Sequence, residues 1–344
     1  MTRLRHLRVH FAVVHNSASW PPAWYEGPLL AADDVSRSRY SGKRVDKSGT
    51  RQRWIMSLAG FSIRAACAGD AAACAATAYA AHARVSAIHN FPSELPTLQI
   101  ATRFIRSKLE NPRCRGYVAQ KDGYVVGSVF VTGVADCPVG AIGPLTVEPI
   151  HEGGVGAALM QEAVAEAARM GIAQLRLIQS PAHLRSLALY TKAGFDLREP
   201  LLVVTNTALT HAIVHSGLRR ATLGDISDCA SLCRNVYGFA RTVELNEAIS
   251  NNTATVLERK NQIVGYACSI GFRGHAVAST VEDLIALIAH APKSLGAGVF
   301  IPMRNGALLR WLFHSGARAL WPAAILSIGD FHEPTIPYLP SMLF

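Results

Sequence analysis

Long hydrophobic runs are scarce in this chain. The most apolar long window, residues 65 to 83, is mostly alanine and is interrupted by Asp70 and His82, so it is too weakly hydrophobic to span a bilayer. No membrane partner is expected, and "VHFAVV" (residues 9–14) is at best a short apolar core for a signal peptide. Ordered cysteine pairs are missing too. Seven cysteines, an odd number, lie at 67, 74, 114, 137, 229, 233 and 268 with no CxxC among them, which argues against a secreted disulfide framework and for reduced thiols in the cytoplasm. The thirteen histidines are scattered, and no metal is expected. Charge of one sign is also thin in the body of the chain. Of the net +10, residues 1–55 hold +6 (ten Lys/Arg against four Asp/Glu), leaving +4 for the other 289 residues. A nucleic-acid partner is therefore not expected.

What is present suits buried cores: 344 residues, half of them hydrophobic and 17% charged, are enough for two ordinary domains. The first 55 residues mix Arg, Ser, Trp and Pro without a sustained period. Residues 1–60 are accordingly set aside as a disordered basic tail or a misassigned start, with Met56 as the alternative start. Glu26, Asp33, Asp34 and Asp46 argue against a transit peptide. From Phe61 the periodicities become readable. "SIRAAC" reads as a strand, Asp70 caps an Ala-rich helix, and the two prolines of "HNFPSELP" (89–96) end it. Thr97 caps a second helix, and "GYVAQKDGYVVGSVFVT" is two strands around a Lys121-Asp122-Gly123 hairpin. A third strand, "VGAIGPLTVEP", contains Gly143-Pro144; proline lacks the ladder N–H, so a bulge or splay belongs there. The order from Ser62 to Val204 is β-α-α-β-β-β-α-β-α-β, one α/β domain over residues 61–205. After a linker at 206–217, a second copy is expected over 218–344. "LRRATLGD" (218–225) matches "IRAACAGD" (63–70) at Arg, Ala, Gly and Asp, and two later echoes follow in the same order.

The stretch "TVEPIHEGGVGAALMQEAVAEAARMG" (146–171) runs from strand through a glycine cluster into a helix. A Walker loop would need Lys and Ser/Thr after Gly156, and neither is there. A dinucleotide fingerprint would need a glycine where Leu159 stands, and no acid closes the following strand. What survives is a loop of little side-chain bulk entering a helix N-terminus, where free N–H groups and a partial positive charge converge on one point. A pyrophosphate fits that description without a metal. The second copy has no comparable loop, since "SLGAGVFIPMRNG" lacks a preceding strand and Pro302 interrupts any helix.

The spacing His151-x-x-Gly154-x-Gly156 resembles the Gln/Arg-x-x-Gly-x-Gly/Ala signature of the GNAT superfamily of N-acetyltransferases, and "LALYTKAGF" (187–195) resembles its later Leu-Tyr-x-x-x-Gly-Phe motif. The chain also looks like a group with two tandem GNAT units, the second degenerate. The resemblance implies a GNAT-like mixed α/β sheet with splayed central strands flanked by helices, and acetyl-CoA as cosubstrate. It implies that the pyrophosphate lies on His151, Glu152, Gly153, Gly154, Val155, Gly156 and Ala157. It also implies that the pantetheine arm lies along Leu145, Thr146 and Val147 and near His183 and Ser186. His151 stands where Gln or Arg is usual, and His183 where many members carry Asn.

Acetyl transfer needs a neutral amine, yet a lysine-like amine is only about 0.04% neutral at pH 7, a deficit of roughly 4.6 kcal/mol. A base or a desolvating pocket is required. Tyr190 is the candidate acid for the departing thiolate, on the resemblance and on its pKa match; Glu148, at the end of the splayed strand, is the candidate base acting through water. Backbone N–H groups around Leu145 to Val147 are expected to polarise the carbonyl. His89, Asn90 and Phe91 are the candidate acceptor contacts. The expected activity is transfer of an acetyl group from acetyl-CoA to a primary amine, on a small molecule or a peptide. The alternative is a non-catalytic acyl-CoA sensor or scaffold. Acceptor identity and oligomeric state stay open on the sequence.

Overall fold

The computed structural model describes residues 54–58, 60–133, 137–151, 154–205, 216–291, 298–335 and 337–342. Residues 1–53 of the expected tail lie outside them. The end of that stretch is not tail, because β1 (Trp54–Leu58) pairs antiparallel with β2 (Phe61–Ala65). An apolar run followed by Gly60 at φ +87° is what a tight hairpin requires, since glycine enters the left-handed region without steric cost.

The first half then follows the order read from the sequence: α1 (Ala71–His89), α2 (Leu98–Glu110), β3 (Cys114–Lys121), β4 (Tyr124–Thr132), β5 (Val139–Val147), α3 (Val155–Arg169), β6 (Gln174–Gln179), α4 (Leu184–Lys192) and β7 (Asp196–Val204). Local chemistry explains the boundaries. Thr97 Oγ1 accepts the Ile100 N–H at 3.2 Å to start α2. The β3–β4 turn places Asp122 and Gly123 at φ +48° and +85°, the pair of positive angles of a two-residue hairpin. On one sheet face α3 and α4 cover Ile63, Val129, Leu175 and Leu177; on the other α1 and α2 cover Val118 and Phe130. Gly127 of β4 lets α3 come close, because a Cβ there would lie 3.0 Å from Leu159 Cδ1 and from the Thr146 carbonyl.

The second half is β8 (Leu218–Arg220), α5 (Ile226–Tyr237), α6 (Thr242–Ser250), β9 (Thr255–Arg259), β10 (Gln262–Ala267), β11 (Ala276–Ala278), α7 (Val281–His290), β12 (Val299–Pro302), α8 (Gly306–His314), β13 (Ala319–Ile328) and β14 (Tyr338–Leu339). Its strands do not stay together. One sheet has nine strands in the order β1-β2-β3-β4-β5-β6-β13-β7-β12; the other has five, β14-β11-β10-β9-β8. β13 therefore lies between β6 and β7, with Ile325 paired to Ile178 on one side and to Glu199 on the other, and β12 pairs with the outer edge of β7. The expected boundary between 61–205 and 218–344 is crossed by this hydrogen-bonded sheet. Among the described residues no helix is long and apolar enough to cross a membrane.

Candidate functional site

The central strands part. β5 and β6 are parallel neighbours only through Val139↔Gln174, Gly140↔Leu175 and Ala141↔Arg176. Beyond Ala141, β5 stays on β4 instead, through Val129↔Leu145, Ser128↔Thr146 and Gly127↔Val147, after a bulge that adds one residue between Ile142 and Leu145. Gly143–Pro144, a cis peptide with Gly143 at φ +137°, occupies that bulge, where the sequence had placed it. Leu145 and Val147 turn to the core under α3, while Thr146 is buried on the opposite face with its Oγ1 3.3 Å from Ser128 Oγ. The β6-facing edge of residues 142–147 is thus left unladdered.

Glu148 follows at once. Its N–H donates to the Val126 carbonyl, and its own carbonyl accepts from the His151 N–H, both at 2.9 Å. The Glu148 carboxylate and His151 Nε2 are 3.6 Å apart at the rim of the strand end, too far for a direct hydrogen bond. Glu152 and Gly153 lie outside the described residues. Gly154 is the N-cap of α3 at φ +83°, with no side-chain cap, so the N–H groups of the first turn (Val155, Gly156, Ala157) have no side-chain acceptor at the cap. A Cβ on Gly156 would lie 3.5 Å from Leu189 and 3.6 Å from Val147, so the loop, β5 and α4 converge on that turn.

On α4, a line of polar groups runs from the N-cap inward. Ser186 Oγ lies 2.5 Å from His183 Nδ1, and the Ser186 hydroxyl also bonds the Tyr190 phenol. Tyr190 is buried in the core with its ring edge-on to Phe195 at 6.1 Å. Burial pushes the phenol up to about 12, opposed by the Ser186 bond. Burial, then the neighbouring His89 and Arg84 charges, hold the His183 imidazole below its ordinary range, which favours the neutral ring.

The fold has counterparts among known proteins. Residues 81–195 match the model of the Acetyltransferase (GNAT) family. This segment is a GNAT domain. Solved structures of the same fold include a proposed acetyltransferase from Pyrococcus horikoshii, at 17% identity, with 84% of this chain and 96% of that one covered and a TM-score of 0.64. A GCN5-related N-acetyltransferase from Sphaerobacter thermophilus follows, at 14% identity, 80% and 98% coverage and a TM-score of 0.53. A tandem GNAT protein from the clavulanic acid biosynthesis pathway matches at 12% identity, 78% and 98% coverage and a TM-score of 0.49. A search of curated proteins returned no match.

The GNAT domain meets the second half on the face opposite α3. The His89 ring stacks on Phe91 at 5.6 Å and meets His183 edge-on at 6.3 Å, and Phe91 stacks on Trp321 of β13 at 6.2 Å. The structure thus brings the expected acceptor loop against α4, with exposed Asn90 left-handed at φ +54° as the cap that ends α1. Trp321, Gln179 and Ser180 were not anticipated. Gln179 shares the face of Leu175 and Leu177, and its amide nitrogen and oxygen, with Ser180 Oγ, are buried without hydrogen-bond partners among the described residues. A polar Gln-Ser pair closing an otherwise apolar strand was the available signal. Among the described residues no group of three or more His, Cys, Asp or Glu gathers as for a metal; His6, His10, His211 and His215 lie outside them.

Proposed function

We propose that the first half is an N-acetyltransferase that takes its acetyl group from acetyl-CoA and delivers it to a primary amine by direct attack. The observation that carries this reading is the end of β5–β6 pairing at Ala141↔Arg176, beside a helix N-terminus left uncapped behind a left-handed glycine. Acetyl-CoA would supply the thioester. The unsatisfied amide of Gln179 and hydroxyl of Ser180 fit an amide-bearing arm lying in the gap, since buried polar groups are rarely left unpaired. In this reading the N–H groups of Leu145 to Val147 pair with that arm and polarise the carbonyl. The loop from His151 through Glu152 and Gly153 to Gly154, with Val155, Gly156 and Ala157 of the first turn, receives the pyrophosphate. His183 and Ser186 flank the arm on α4, and His89, Asn90 and Phe91 line the acceptor side.

The nucleophilic nitrogen loses its proton to Glu148 through water as the new C–N bond forms and the C–S bond breaks. Tyr190 serves the departing sulfur. With the phenol near 12 and a thiol near 8.5, full proton transfer would be uphill by about 5 kcal/mol, so the phenol acts by donating a hydrogen bond to the developing thiolate. We place the enzyme in the cytoplasm, in keeping with its seven free cysteines.

Calorimetric titration of the full chain with acetyl-CoA tests the binding part. Gly154→Glu puts a carboxylate and a strained left-handed residue where the anion is held, and we expect affinity to fall by about 100-fold or more. Unchanged affinity would remove the loop from the site. Thiol release on a panel of amines tests the chemistry: Tyr190→Phe should cut kcat by about 100-fold with little change in the KM for acetyl-CoA. Tight coenzyme binding with no turnover on any amine would favour the sensor instead.

A further inference from the structure

Arg176 sits at the vertex of the gap, in the last β5–β6 pair, and is 1% exposed. Its side chain shares the face of Ala141 and Ile178, opposite α3, the face on which Phe91 meets Trp321. Nε donates to Gln174 Oε1 at 2.6 Å, but Nη1 and Nη2 are buried with no hydrogen-bond partner among the described residues. Aromatic rings flank the guanidinium instead: Phe239 at 5.1 Å and Phe331 at 4.7 Å. Neighbouring arginines are paired, Arg241 with Glu244 and Arg198 with Asp196, whereas Arg176 forms no ion pair among the described residues. Burial lowers its pKa to about 10, so it is still a cation at neutral pH.

A buried charge without a partner is strongly destabilising, and ring faces compensate it only in part, leaving the in-plane N–H groups unused. The Nη edge presents two parallel N–H donors, the fork that a carboxylate receives. One uncompensated positive charge is matched by one carboxylate; a dianionic phosphate would leave a buried negative excess. Ile178, about 7 Å further along the strand, lies with Phe91 and Trp321, so an anion at Arg176 is on the acceptor side of the gap. Phe331, half-buried on the irregular stretch between β13 and β14, forms the outer cover.

We infer that Arg176 is a specificity residue: the acceptor is an amine that also carries a carboxylate, as an amino acid or a peptide with a free C-terminus does, and the carboxylate docks on Nη1 and Nη2. This deepens the acetyltransferase reading and rests on it for the direction from which the acceptor approaches. The test uses the full chain and matched probes: N-acetyl amino acids and N-acetyl dipeptides against the same compounds as C-terminal amides, titrated calorimetrically with and without coenzyme A. At least one acid should bind about 30-fold or more tightly than its amide, and Arg176→Gln should abolish that preference while leaving coenzyme affinity unchanged. Should the variant not fold, a crystal of the unaltered chain with the preferred acid must show a carboxylate oxygen within hydrogen-bond distance of Arg176 Nη. Equal binding of every acid and its amide, a preference that survives Arg176→Gln, or a carboxylate bound elsewhere would overturn the assignment. Absence of coenzyme binding would instead defeat the acetyltransferase reading, and the acid–amide comparison would still decide Arg176.

Discussion

Arg64 grips Asp70 with two 2.7 Å hydrogen bonds at the start of the first half, and Arg219 grips Asp225 with two of 2.8 Å at the start of the second. Each Asp also accepts the N–H three residues before it, from Cys67 and from Thr222. The hairpins repeat as well: Lys260 and Asn261 sit at φ +49° and +60°, as Asp122 and Gly123 do at the equivalent turn. Gly194 and Gly316 end α4 and α8 at φ +95° and +91°. Four residues before each glycine, however, stand Tyr190 and Leu312, and the second half thereby lacks the phenol. α7 differs from α3 in the same sense. Its N-cap Thr280 accepts the Asp283 N–H at 3.1 Å, and Glu282 and Asp283 put two acids in the first turn, a poor seat for an anion. Where the first half leaves β5 and β6 apart, β11 is flanked by β14, through Ala276↔Leu339 and Val277↔Tyr338. Structural devices recur in both halves; the parted strands, the helix start behind Gly154 and the buried phenol, to which we assign the thioester, belong to the first.

The harshest way to break this comparison is to separate the halves. Residues 56–205 expressed alone lack β13, so β6 and β7 lose the strand that joins them and the buried Leu201, Val203 and Leu177 lose cover. We expect no cooperative thermal transition by circular dichroism for that fragment, and recovery of one when residues 206–344 are co-expressed. A fragment that melts cooperatively would make the halves independent domains.

That exchange marks the limit of what the residues disclosed. The glycine turn, the Tyr190 motif and the bulge at Gly143–Pro144 were legible because each depends on backbone chemistry within a few positions. The sequence echoes pointed to a second copy with no equivalent of the glycine loop, and in the structure Ser279–Thr280 precedes α7 where the glycines precede α3. The insertion of β13 was not legible, because its partners lie more than a hundred positions away and strand patterning fixes faces, not neighbours. Arg176 was visible only as a charge inside an apolar strand; that its Nη groups meet no ion-pair partner among the described residues is a property of the packed halves.

A milder contrast concerns the two Arg–Asp pairs. At Asp225 the hydrogen bonds from Arg219 outweigh burial and hold the carboxyl at about 2, below its usual range. For Asp70 burial is the largest influence and pushes upward, yet Arg64 and the Cys67 N–H leave the carboxyl lowered. A depressed carboxyl stabilises the fold above its unfolded pKa, near 4, and that contribution is lost as pH falls towards the folded value. Chemical denaturation from pH 6 to pH 2 should therefore show about 2 kcal/mol disappearing between pH 4 and 2, and Asp225→Asn should flatten that limb while lowering stability at pH 6. An unaltered acid limb in the variant would remove Asp225 from the pH response.

The gentlest perturbation separates capping from cofactor binding. Thr280→Ala removes the hydroxyl that caps α7, a loss of about 1 kcal/mol in unfolding free energy. Freed first-turn N–H groups alone do not make an anion site when Glu282 and Asp283 stand beside them and β14 fills the strand position next to β11. Coenzyme titration should accordingly give the same affinity and still one site per chain. A second site appearing in Thr280→Ala would mean that the second half kept the binding geometry and that only the cap had silenced it.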